Sequence, residues 1–169
     1  WRLLSFLAVL PFVPALAGTM TKLDLDLFCS SCSGPDPAIT VEIRTTSGGL
    51  PTGTILATTT IPGFSSGVGT FYTATFGSPA TLSTGTTYAF VLRLATDRTT
   101  GTYAILRSSN NQYASGVWLD SSNSGSSWTS HSQDSGFKTY MTTPLVYGAS
   151  GDLVSSVKDA NPIPGGTPH

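Results

Sequence analysis

The residues that could carry chemistry are few and scattered along the chain. A glycosidase needs two carboxylates flanking a cleft, about 5–10 Å apart. Of the nine acidic residues, Asp24, Asp26, Glu42 and Asp97 fall at alternating strand positions or in turns, where solvated carboxylates are expected. His131, with Asp134 three residues on, holds two parts of a Ser-His-Asp set, but no strand-to-helix nucleophile elbow supports it. A loop histidine is the simpler account. Asp36, Asp120 and Asn123 are turn oxygens of the kind that hold calcium, yet no dense acidic loop accompanies them, and no metal or other cofactor is expected. Walker, Rossmann and His-Glu-x-x-His motifs are absent from the sequence. These observations point to a protein that is not an enzyme.

The two cysteines, Cys29 and Cys32, lie in Phe-Cys-Ser-Ser-Cys-Ser-Gly-Pro. A zinc site would need two further ligands, and the histidines are only His131 and His169. A redox Cys-x-x-Cys would open a helix in a βαβ setting, which the pattern lacks. The expectation is a local disulfide pinning a turn in an oxidising compartment; free thiols and metal binding are the alternatives.

Aromatic residues offer a different chemistry. Trp118, Tyr113 and Tyr103 cluster in the later part of the chain and are candidate glycan contacts if their ring faces are exposed; the alternative is that they fill the core.

The elements that must position these residues are strands. From Thr19 the pattern is period two: Leu23, Leu25 and Leu27 alternate with Lys22, Asp24 and Asp26, and Val41 and Ile43 with Glu42 and Arg44. Further strands are expected at 55–61, 71–76, 88–94, 103–107, 117–119 and 137–141, separated by Gly, Pro, Ser and Asn clusters. No window carries a capped helical period. The expectation is an all-β, antiparallel, jelly-roll-like β-sandwich of about eight or nine strands. Residues 17–143 form that domain, after an apolar N-terminal strand or extension at 1–16. Residues 144–169 add an edge strand at Leu145–Tyr147 and a Pro/Gly-rich tail.

Residues 2–17 are apolar after Arg2 and end in Ala15-Leu-Ala, the outline of a signal peptide. Pro11 and Pro14 interrupt the run too early for a membrane-spanning helix. As an extended strand it places Leu4, Phe6, Ala8, Leu10 and Phe12 on one face and Leu3, Leu7 and Val9 on the other, so both faces call for burial. Such a strand either lies in its own core or fills a groove in a neighbour by donor-strand complementation. A cleaved signal peptide is the third reading.

Charged residues make up 10% of the chain and the net charge is −1. Soluble domains average about 25% charged residues. Without a basic field, nucleic acid and anionic lipid are disfavoured as partners. Low surface charge also removes a defence against self-association, so identical subunits are the expected partners, with glycans next. The expected location is extracellular or at the cell surface. No N-glycosylation sequon with a permitted middle residue is present.

Several phrases, in order, resemble a bacterial extracellular β-sandwich family of surface and choice-of-anchor-type proteins. They are Leu23-Asp-Leu, Ile39-Thr-Val-Glu-Ile-Arg, Gly48-Gly-Leu-Pro-Thr-Gly, Pro79-Ala-Thr-Leu-Ser-Thr-Gly-Thr-Thr-Tyr-Ala-Phe-Val-Leu, Tyr113-Ala-Ser-Gly and Gly136-Phe-Lys-Thr-Tyr. The resemblance covers about residues 17 to 142. It implies a jelly-roll-like module of large exported proteins, beside enzymatic, adhesive or anchoring domains, and carries no activity of its own. In that family the segment before Leu23 looks like the first strand of the domain. Within the same span, Ser121, Asn123, Gly125, Ser127 and Trp128 are spaced as in the Asp-box of sialidases, with Asn in the Asp position. The motif is a turn device, not a catalytic one.

Overall fold

Twelve strands account for all the regular structure in the described part of the chain, and most follow from the period-two stretches. The computed structural model describes residues 7–96, 98–109, 113–143, 146–147 and 153–155. In chain order the strands are β1 (Leu7–Phe12), β2 (Gly18–Ser33), β3 (Ile39–Ser47), β4 (Leu50–Ile61), β5 (Thr70–Leu82) and β6 (Tyr88–Leu94). They continue with β7 (Thr100–Ile105), β8 (Trp118–Ser121), β9 (Thr129–His131), β10 (Phe137–Thr142), β11 (Val146–Tyr147) and β12 (Leu153–Ser155).

Ten of them build two antiparallel sheets packed as a β-sandwich. One sheet runs β4-β3-β6-β1-β8-β9; the other runs β10-β2-β5, with β7 also paired to β2. β10 uses the first half of β2, up to Leu25, and β7 the second half, from Leu27. At one edge β4 meets β5, where the Thr59 hydroxyl donates to the Thr75 carbonyl at 2.8 Å. The expected edge strand at 145–147 instead pairs only with β12, as β11 in a separate two-stranded sheet; Leu145 and the Pro/Gly-rich tail lie outside the described residues.

The core lies between the sheets. Leu23, Leu25 and Leu27 of β2, Ile39, Val41 and Ile43 of β3, and Phe90 and Leu92 of β6 are all fully buried in it. β1 adds Ala8, Leu10 and Phe12, with Phe12 stacked on Phe90 at 3.9 Å between ring centres. Val9, on its other face, joins Ala89, Val91 and Leu119 in a second buried cluster on the outside of the six-stranded sheet. Both faces of β1 are thus buried, and β1 is an integral strand of the sandwich. Of the assembly-strand residues, Leu4 and Phe6 lie outside the described residues.

Two local devices set register. Gly48 and Gly49, at φ 59° and 79°, make the two-residue turn between β3 and β4, a left-handed pair that matches strand twist. The turn is therefore tighter than the Gly/Pro cluster implies, and Leu50 to Gly53 join β4. In β2 the register against β7 shifts between Ser30 and Ser33, with Ser31 at φ 54°. The Cys29–Cys32 disulfide spans that bulge, its Cα atoms 5.7 Å apart. Opposite it, a Cβ at Gly101 would lie 2.5 Å from the Cys32 Cα, so only glycine fits.

Two carboxylates expected in solvent are buried instead. Asp24 accepts hydrogen bonds from the Thr73 hydroxyl at 2.6 Å and the Tyr140 hydroxyl at 2.7 Å. Glu42 does point away from the core, as its position in β3 requires, but Arg44 and Arg93 close over it and leave it 0% exposed. An outward strand position becomes a buried one when long basic side chains lie across it.

Candidate functional site

Among the described residues the acids do not form a catalytic pair in a cleft. Asp24 and Glu42 are consumed by the hydrogen bonds and ion pairs above, and Asp97 lies outside the described residues. Asp26 is half-buried, and its Oδ1 is sealed from solvent without a hydrogen-bond partner. Burial pushes its carboxyl above the usual carboxylate range, and the Lys138 charge opposes that shift only in part. No carboxylate lines the clefts of about 240 and 310 Å³ on the described surface.

His131 lies on β9, a strand too short for the sequence pattern to reveal. Its Nε2 sits 2.5 Å from Asp120 Oδ1, and its ring lies 4.2 Å from that of Trp118. Asp134, the expected partner, instead accepts the Tyr113 backbone N–H at 2.5 Å. Gly63-Phe-Ser-Ser-Gly67 does spell Gly-x-Ser-x-Gly, but it connects strand β4 to strand β5 and cannot make the strand-to-helix elbow.

The calcium candidates are also separated in role. Asp36 pairs with Arg98 at 2.8 Å, Asp120 faces His131, and Asn123 belongs to a turn. No three His, Cys, Asp or Glu residues among those described gather as a metal site. The turn holding Asn123 is closed by side-chain hydrogen bonds. Asn123 Oδ1 accepts the Ser127 N–H at 2.9 Å, and the Ser121 hydroxyl accepts the Gly125 N–H at 2.7 Å. Trp128 packs on the Val9–Val91–Leu119 cluster. This turn joins β8 and β9 as a hairpin, with Trp118 opposite His131.

The three aromatic candidates do not form a stacking platform. Tyr103 is fully buried, its hydroxyl donating to the Pro37 carbonyl and accepting from Phe64 N–H and Arg98, all at 3.0 Å. Trp118 is 6% exposed. Tyr113 is partly buried, and its hydroxyl accepts the Val13 N–H at 2.9 Å. Stacking on a pyranose needs an open ring face, which the two buried rings do not offer. No local pattern separates inward from outward aromatics in short strands flanked by turns, so the sequence could not decide this.

What the geometry does concentrate is a strand slot. β1, first of the strands in chain order, sits in the middle of the six-stranded sheet. It pairs with β6 from Ala8↔Leu92 to Phe12↔Tyr88 on one side, and with β8 from Leu7↔Ser121 to Val9↔Leu119 on the other. A single five-residue link, Val13–Ala17, carries the chain on to β2 in the opposite sheet. The Tyr113–Gly116 turn grips the end of β1 closely: a Cβ at Gly116 would lie 2.1 Å from the Pro11 carbonyl oxygen. A cleft of about 310 Å³ runs beneath the link, floored by Phe12, Phe137 and Met141. Sequence pattern identifies the apolar strand but not its partners, and Gly116 and Tyr113 carry no local sign that they hold it.

No protein-family model matches the chain, and no curated protein sequence matches it.

Proposed function

We propose that the chain is a non-enzymatic structural module of an extracellular surface assembly, in which β1 of one copy completes the sandwich of another. The observation that carries this reading is the position of β1. Paired with β6 from Ala8 to Phe12 and with β8 from Leu7 to Val9, and buried on both faces, it is tied in sequence to β2 by one short link. The strand is placed in its own sandwich, and exchange would reuse the same contacts between copies. Burial of each Val, Leu or Phe side chain contributes about 1.5–3 kcal/mol, so an empty slot between β6 and β8 is a strong acceptor. Because exchange recreates native contacts, it needs no new interface. Head-to-tail exchange that does not close into a ring gives a filament. The low charge, the Cys29–Cys32 disulfide and the resemblance to exported surface modules support an extracellular setting.

Val9 lies directly opposite Val91 across β1 and β6. Opposed antiparallel positions have Cα atoms about 4.5–5.5 Å apart, within disulfide range. The full chain carrying Val9→Cys and Val91→Cys, oxidised after concentration, should give covalently linked multimers on a non-reducing gel. A product that is only the internally bridged monomer, at every concentration, overturns exchange.

A further inference from the structure

A second cleft, of about 240 Å³, has a lining that no structural need accounts for. Its walls include Phe28, Leu106, Arg107, Trp118 and Gln133. Two donors of that lining, on Trp118 and Arg107, meet no acceptor among the described residues. The Trp118 indole N–H is buried and has no partner. Outside the lining, the Ser135 hydroxyl is also buried and unpartnered, on the residue that bridges to Arg107. The Arg107 guanidinium lies 4.5 Å over the Trp118 ring and meets no carboxylate among the described residues. An unmatched buried donor is destabilising, and such groups are rare in native folds. Phe28 is nearly buried, whereas Leu106 is 47% exposed at the rim.

An unmatched indole N–H, one fixed positive charge and largely apolar walls define a complementary ligand. It carries an anionic pair of acceptor oxygens on an apolar body. A carboxylate suits a guanidinium because two N–H groups can meet two oxygens in one plane. The volume is about that of eight liquid waters at ~30 Å³ each, which admits a body of benzoate size. We propose that this cleft binds a small organic monocarboxylate with an apolar body, its carboxylate on Arg107 and its body between Phe28 and Leu106. Trp118 opens β8, which also pairs with β1, but no residue of β1 lines the cleft, so binding there does not presuppose exchange.

The test uses the full chain and benzoate as probe, followed through the indole N–H resonances. Assignment comes from Trp1→Phe and Trp128→Phe, which leave Trp118 intact. Benzoate should shift the Trp118 resonance saturably at millimolar concentration or below. Benzamide, of the same shape without the charge, should bind at least tenfold more weakly, and Arg107→Gln should weaken benzoate by a similar factor. No saturable shift of that resonance, or equal binding of benzoate and benzamide, overturns the assignment. The benzamide comparison is made on the unaltered protein, so it stands even if Arg107→Gln folds poorly.

Discussion

The Tyr113 hydroxyl accepts the backbone N–H of Val13 at 2.9 Å, across 100 residues of sequence. Val13 is the first residue after β1, where the chain turns out of the sheet, so this bond latches the strand at the point where exchange would begin. Tyr113→Phe removes the latch and keeps the ring packed edge-on against Phe137 at 5.5 Å. The same hydroxyl donates to the Val13 carbonyl at 3.4 Å, so the expected loss of stability is about 1–2 kcal/mol, the net worth of one strong and one long hydrogen bond. The rate of exchange should rise by more than that loss alone implies for other sites. Mixing two differently labelled populations and following mixed species over time measures it; an unchanged rate would remove the latch from the argument.

Phe12 tests the slot itself. It is 1% exposed, stacked on Phe90, and 6.1 Å from Tyr88 between ring centres. Phe12→Ala should cost about 3–5 kcal/mol, as for other large-to-small core changes. Thermal unfolding reads this as a fall in Tm on the order of 10 °C for a domain of this size. Phe12→Leu should lose well under half as much. A Phe12→Ala chain as stable as the parent would mean that β1 is not a core strand.

How much of this was legible in the sequence depends on the range of the interaction. The alternation of Ala8, Leu10 and Phe12 against Val9 is local, and it correctly called for burial on both faces. That β1 sits between β6 and β8 is set by pairing across more than 70 residues, about which a local pattern says nothing. The turn over residues 121–127 was legible because all its bonds close within seven residues. Glu42 was not, because its burial depends on Arg93, which is adjacent only after β3 and β6 pair.

Glu42 supplies a prediction of its own. One oxygen takes Arg44 through Nε at 2.8 Å, and the other takes Arg93 through Nε at 2.9 Å. Glu42→Gln leaves two guanidinium groups facing each other over a buried amide. Removing the buried partner of an ion pair costs about 3–5 kcal/mol, and the lower end applies because Arg93 is half exposed. Arg93→Gln, which removes an exposed partner, should cost no more than about 1 kcal/mol. Denaturant unfolding of the two variants checks the asymmetry; equal losses would show that Glu42 does not organise the group.

The disulfide has a narrow role. Cys29 and Cys32 are three residues apart, so the closed loop is short and the stabilisation should fall near 2 kcal/mol, the low end for such bonds. Replacing both with Ser should loosen the β2–β7 pairing around the bulge. Amide exchange should then quicken at Thr102 and Tyr103, which pair with Ser30 and Cys29, and remain slow at Leu23 and Leu25. Uniform acceleration across β2 would instead mean that the bond holds the whole strand.

Asp26 makes stability depend on pH in a direction opposite to most carboxylates. Its Oδ1 is sealed under Gly69 and Leu106 without a donor, and Lys138 nearby is drawn over the Phe71 ring at 4.0 Å. Burial therefore raises the folded pKa above the unfolded value of about 3.8. A group raised in this way favours the fold fully below the unfolded pKa, and the advantage is lost as pH rises through the folded pKa. At neutral pH the ionised side chain is a net cost. Asp26→Asn should accordingly raise Tm at pH 7, and the gain should shrink to nothing as the pH falls below about 3.8. A difference in Tm that stays constant from pH 7 to pH 3 would show that the amide acts through packing and not through the missing charge.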